Sequence, residues 1–302
     1  SRRQRQMCIR DRVYTMKQVV TLLFRILCTV ILAFSLLGAF ALGYAAYATG
    51  SSHIYLHQLE QQQVAEKVRS NLETYYAAQE HSTAIPKEVY LDVLTTDWIS
   101  TQMETLTEAG YAGFRGANTR PAQSDVDFSA LESSITNYFE TYADSISYPK
   151  DDTYTEKLNE AISAAESKIY KQLDVFQFET MEKSGLFEKV IKLHRLSIYG
   201  TVGAAVVSVA CLCILLLLAR RQRTYWMGCT LLAGGLMLAA PFGYLLGSQY
   251  FQRFSIKDPA IFSFFTGVME HGSLVCMITG LIGAGMGLLG ICIGIIKSRR
   301  NA

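Results

Sequence analysis

Metal-ligating side chains recur at helical spacing in His53-x-x-x-His57-x-x-Glu60. Residues four and three apart align on one helix face. Two imidazoles and a carboxylate so aligned have the donor set of a zinc-like site, or of a switch that titrates near neutral pH. The topology derived below brings His194, His271 and Glu270 to about the same membrane height, gathering four of the five histidines near the outer leaflet. The plainer alternative is that imidazole, like phenol, is at ease at a wet interface. A divalent metal on His53, His57 and Glu60, with His194 and His271 nearby, is the only cofactor the sequence offers.

Other patterns carry less chemistry. Asp125, Asp127, Asp151 and Asp152 lack the alternating oxygen spacing of a calcium loop, and helix capping accounts for them better. Gly285-Met-Gly287-Leu-Leu-Gly290 matches a dinucleotide fingerprint, but it lies inside an apolar stretch. The fingerprint works only at an open helix N-terminus after a strand, where amides are free to meet pyrophosphate. There is no G-x-S-x-G, no P-loop and no H-E-x-x-H, and all seven cysteines fall outside residues 49–195. That stretch therefore has no thiolate cluster and no disulfide framework, and enzymatic activity is not expected.

The elements that position these residues follow from composition. Of 302 residues 50% are hydrophobic and 18% charged, and the mean hydropathy of +0.18 lies between soluble and all-membrane values. Charge is segregated: residues 49–195 hold 23 Asp and Glu against 13 Lys and Arg, while most other bases flank apolar runs. An acidic folded block is the reverse of a nucleic-acid footprint, so no nucleic-acid partner is expected.

Residues 1–12, Ser-Arg-Arg-Gln-Arg-Gln-Met-Cys-Ile-Arg-Asp-Arg, differ from everything after them and resemble a translated sequencing-adapter tail. Without them the formal net charge moves from +2 to −2, and Met16 is the expected start. The alternative is a basic cytoplasmic leader. Residues 13–48 comprise the leader and a first transmembrane helix, apolar from Val19 to Ala48 except for Arg25. Ala46-Tyr47-Ala48 also fits a signal-peptide cleavage site, although the apolar run is about twice the 7–15 residues such a peptide uses.

Residues 196–219, 225–247 and 274–296 are three further spans without Asp, Glu, Lys or Arg. Arg220, Arg221 and Arg223 in or beside the 220–224 turn, and Lys297, Arg299 and Arg300 in the 297–302 tail, place both sites in the cytoplasm by the positive-inside rule. Residues 49–195 are then outside, on a bacterial plasma membrane. Spans free of ionisable residues disfavour a pump or a coupled transporter.

Gly280, Gly283, Gly287, Gly290 and Gly294 form one glycine face in the last span, with Gly243 and Gly247 as a matching surface in the third. Such faces serve close helix packing, either within this bundle or with a second copy or a membrane partner. Residues 248–273 form an outer loop rich in aromatics, expected as an interfacial amphipathic segment starting near Asp258-Pro259.

Residues 49–195 have helical periodicity throughout: Val64, Val68, Leu72, Tyr75 and Ala78; Ile99, Met103, Leu106 and Gly110; Phe128 through Leu131 and Ile135 to Ile146; and Tyr154 through Ile162 to Leu173. Thr96 or Asp97 and Asp127 are expected caps, and residues 113–124 the longest loop. The fold class is all-α, four transmembrane helices with a helical-bundle extracytoplasmic domain between the first and second.

This order resembles the sensory half of bacterial receptors, without their large cytoplasmic module, and is similar in layout to four-pass membrane proteins of Gram-positive bacteria. It is also similar to FtsX-like and MacB-like permeases, but the 220–224 turn is too short for their ATPase-coupling element. The expected function is a non-enzymatic sensing or binding domain acting through membrane or extracytoplasmic partners. The alternative is a membrane subunit of an ABC-type or pore transport system.

Overall fold

Long apolar runs with at most one charge leave the backbone no partner but itself, and all four become helices. In a computed structural model the backbone is described over residues 2–117, 119–219 and 222–300, and side chains over 19–117, 119–219, 222–297 and 299–300. The proposed adapter tail and Arg220–Arg221 lie outside the residues whose side chains are described. The fold is all-α, with eleven α-helices and two short 3-10 turns among the described residues.

The chain divides into two units. The membrane unit comprises Ser1–Ala46, Arg195–Phe251 and Glu270–Ala302, and the domain comprises Tyr47–His194 with Gln252–Met269. Four helices are long and apolar enough to cross a membrane: α1 (Arg2–Gly50), α9 (Leu186–Leu218), α10 (Arg223–Gly247) and α11 (Pro259–Arg300). Their mean hydropathies of 2.4, 2.7, 1.7 and 2.1 make bilayer contact their natural environment. Leu217, Val206 and Leu289 are each more than half exposed, which is costly in water and neutral in lipid.

Within the membrane unit α10 and α11 approach backbone to backbone. A Cβ added at Gly280 would lie 2.6 Å from the Ala239 amide nitrogen and 2.7 Å from the Gly235 carbonyl, and one at Gly294 would lie 2.8 Å from Tyr225 N. Gly287 meets Leu232 and Gly228, and Gly235 meets Ala284, equally closely. The matching surface on α10 is Gly228, Gly235 and Ala239, and not the expected Gly243 and Gly247. Gly243 only touches Met277 at ordinary distance, and Gly247 has nothing within 4 Å. The glycine face is thus occupied within the chain. Close approach needs small residues on both helices at one register, and the register runs through Gly228.

Packing of α1 on α9 uses side chains. Leu42 lies on Gly200, the Ser208 hydroxyl donates to Ser35 Oγ at 2.9 Å, and Cys28, Leu32 and Leu215 form a small buried cluster. Arg25 Nη2 donates to the carbonyl of Leu218 at the end of α9, satisfying a group that helix termini leave open.

The domain is built from α2 (His53–Gln61), α3 (Val64–Thr83), α4 (Glu88–Leu91), α5 (Thr96–Phe114), α6 (Ser129–Ser145), α7 (Asp152–Leu173) and α8 (Phe178–Lys183). Val68, Leu72, Ile99, Leu131, Ile135 and Ile169 are all buried in one core, each side chain contributing roughly 1.5–3 kcal/mol. On α3 the buried row continues to Tyr76, leaving Tyr75 half-buried and Ala78 exposed. On α6 the expected stripe ends early: Ser134 and Tyr138 bond the carbonyls of Val89 and Ala84, but Tyr142 and Ile146 are exposed. Beyond Tyr138 only Ala143 of α6 is buried.

Capping corrects some expectations and supports others. Thr95, one residue before the expected pair, accepts from Trp98 N at 3.1 Å, while Asp97 sits in the first turn. Asp151 caps α7 through Tyr154 N, whereas Asp127 lies one residue before Phe128, the N-cap of α6, and accepts from Ser129 N and Oγ, which hold its carboxyl below the usual range.

The 248–273 segment also differs from expectation. A 3-10 turn at Tyr250–Arg253 is followed by α11, which starts at Pro259 and runs unbroken to Arg300. Asp258 is its cap, accepting from Ala260 N at 2.8 Å and from Asn71 Nδ2 at 3.1 Å. The helix does not stop to lie flat, because Ala260 and Phe264 are buried in the same core as Val68 and Leu131. Burial in protein removes these side chains from water as well as lipid would.

Candidate functional site

The residue after α7 sets up the most distinctive local geometry in the domain. Asp174 is buried and its carboxylate accepts from Phe178 N at 2.8 Å and Glu179 N at 3.1 Å, capping α8. Burial pushes its pKa up and these hydrogen bonds oppose the rise. The turn is completed by Gln177 in the left-handed region, with φ of 55°. This arrangement sends two phenylalanines, Phe176 and Phe178, into a cluster of rings.

Phe176 lies 4.7 Å from Phe264, 5.0 Å from Phe178 and 5.5 Å from Tyr55 between ring centroids. Tyr55 and Tyr111 are 5.0 Å apart, and Phe114 lies 4.6 Å from Phe187. Distances in this range, with mostly tilted or edge-on planes, are the favourable ones for aromatic pairs. Gly110 permits the cluster, because a Cβ there would collide with the Phe178 ring.

Beside these rings is a pocket of about 570 Å³, within the range of small-molecule sites. Its lining includes Tyr55, Tyr111, Phe114, Phe176, Phe264 and Met181, with Thr49, Gln177 and Thr180 as the other polar side chains. Among the described residues, no charged one lines it. Tyr55 and Tyr111 each bring a phenol to this lining, and burial pushes both above their ordinary pKa range. Each phenol carries one O–H donor. The arrangement can enclose an apolar, uncharged body and offer it a phenol hydroxyl as polar contact.

The histidine motif has a different environment. His53, His57 and Glu60 do share α2, but all three are exposed and border a separate cleft of about 450 Å³ with Ser100 and Glu104. Among the described residues no group of three or more His, Cys, Asp or Glu is placed to hold a metal ion. Spacing aligns the side chains along the helix without making their donor atoms converge. His194 is engaged elsewhere: its Nδ1 is 2.9 Å from Thr49 Oγ1 and its ring lies against Gly50. His271 belongs to the membrane unit.

Sequence reasoning passed over Phe176, Phe178 and Tyr111, and assigned Phe264 and Phe265 to an interfacial loop. The signal that could have found them is density of aromatics: Phe176-x-Phe178 and Phe262-x-Phe264-Phe265 are both placed next to helix-start residues, Asp174 and Asp258. Comparison with protein-family models, with curated proteins and with solved structures finds no match.

Proposed function

We propose that this multi-pass membrane protein presents residues 49–195 outside a bacterial plasma membrane as a non-enzymatic binding or sensing domain, with both termini in the cytoplasm. The observation that carries the binding role is the uncharged, ring-lined pocket of about 570 Å³ inside the domain. Sidedness rests on the bases flanking the spans, Arg223, Lys297, Arg299 and Arg300 among them, against an acidic domain.

Substituted-cysteine labelling tests the sidedness. Residues 49–195 hold no cysteine and Ala130 on α6 is exposed, so Ala130→Cys adds one reporter thiol to the domain. A membrane-impermeant maleimide is expected to label it in intact cells. Labelling only after permeabilisation would place the domain in the cytosol and end the proposal. The pocket is tested with the neutral dye N-phenylnaphthylamine on the full chain in nanodiscs. Saturable fluorescence lost on Thr180→Trp, which fills the pocket from an exposed α8 position, supports binding; identical curves for both proteins argue against it.

A further inference from the structure

Three features of the pocket restrict its ligand. First, the lining carries no charge, and an ionised group buried there would go uncompensated. Second, half of the lining comes from α1, α9 and α11, which are themselves long and apolar enough to cross a membrane. In the sequence of α11, Met269 of the lining comes five residues before Leu274, where the uninterrupted apolar stretch begins. Along α1, Ala48 and Thr49 of the lining sit at the end of the apolar run itself. Third, Tyr55 and Tyr111, with ring centroids 5.0 Å apart, bring phenol O–H donors to an otherwise mostly apolar lining, which suits a carbonyl acceptor.

We infer that the pocket takes the ester-linked acyl chain of a membrane lipid, its hydrocarbon against the rings and its ester carbonyl satisfied by the Tyr55–Tyr111 pair. This rests on the reading of the domain as a binding module and adds the ligand class. An ester is favoured over a free fatty acid because the latter is a carboxylate at neutral pH and finds no cation in the lining.

The test uses the full chain in phosphatidylcholine nanodiscs at pH 7. One arm contains a trace of phosphatidylcholine with a diazirine in its acyl chain, and the other a diazirine fatty acid. Cross-links are mapped by mass spectrometry. The expected result is ester-arm labelling of the 174–191 and 256–269 peptides, reduced on the order of tenfold by Thr180→Trp. Leu186→Trp, also at an exposed lining position, replaces it if that variant fails to fold.

Labelling confined to the lipid-exposed faces of α9, α10 and α11 overturns the inference. Pocket labelling as strong in the fatty-acid arm overturns the ester assignment. N-phenylnaphthylamine on the same samples separates the two levels. Dye binding that remains sensitive to Thr180→Trp without lipid labelling removes the acyl ligand and leaves the binding module, whereas neither signal removes both.

Discussion

At Gly280 one helix backbone meets another helix backbone, whereas at Gly110 a helix backbone meets the face of the Phe178 ring. Both contacts require glycine, and for different reasons. In the membrane unit there is no hydrophobic gain from moving an apolar side chain out of lipid, so contact area comes from close approach of small residues. In the domain the same glycine choice makes room for a large ring whose removal from water is itself the driving force. One unit gains by having no side chain, and the other by accommodating a large one.

The comparison predicts unequal costs for substitutions. The largest is expected for Phe178→Ala, which removes a fully buried ring joined to Phe114, Phe176 and Phe187: about 3–5 kcal/mol of stability, read from thermal or denaturant unfolding of the domain signal. A loss under about 1 kcal/mol would mean that rings do not hold the domain. Next is Gly280→Val, where new carbons meet the Ala239 and Gly235 backbones, expected to cost about 1–3 kcal/mol. Gly285→Val on the same helix, with nothing within 4 Å, is the control and is expected to be silent. Equal melting of the two variants in detergent would dissolve the contrast between the regions.

Asp174 sharpens the domain side. Asp174→Ala leaves the amides of Phe178 and Glu179 without their acceptor, at about 1–3 kcal/mol. Because the folded pKa of Asp174 is raised, the native state binds its proton more tightly than the unfolded chain does. Its favourable contribution is therefore complete below the unfolded carboxyl value of about 3.9 and is lost as pH rises through the folded value. Asp174→Asn is expected to flatten that part of the stability–pH curve, measured by urea midpoints; an unchanged curve would show that another group sets it. The smallest effect is expected at Lys157, whose 2.8 Å pair with Glu160 is exposed on both sides. Lys157→Ala should leave the melting temperature unchanged within error.

Much of the fold was legible because it depends on periodicity. Ile99, Met103, Leu106 and Gly110 are all buried as their spacing requires, and the Tyr148–Asp152 break separates α6 from α7. The glycine stripe on α11 was visible, but its partner was not. Gly228 and Gly235 are seven residues apart, two helical turns, and only the register of two helices could select them over Gly243 and Gly247. The site was largely hidden. His53, His57 and Glu60 have a recognisable spacing and exposed, non-converging side chains, whereas the pocket draws Tyr55, Tyr111, Phe176 and Phe264 from four separate parts of the chain. Aromatics in residues 248–273 read as interfacial because local composition cannot distinguish a ring bound for lipid from one bound for a protein core.

A seam made of main chain leaves nothing to reorient. Sliding α11 one position past α10 would bring Leu281 or Leu288 to where Gly280 or Gly287 now fits, and neither neighbour could turn aside to admit it. The third and fourth spans are in that sense keyed to each other rather than merely adjacent. They are expected to behave as one hairpin, with the chain from Ser248 to Asp258 joining them, committed to a single alignment.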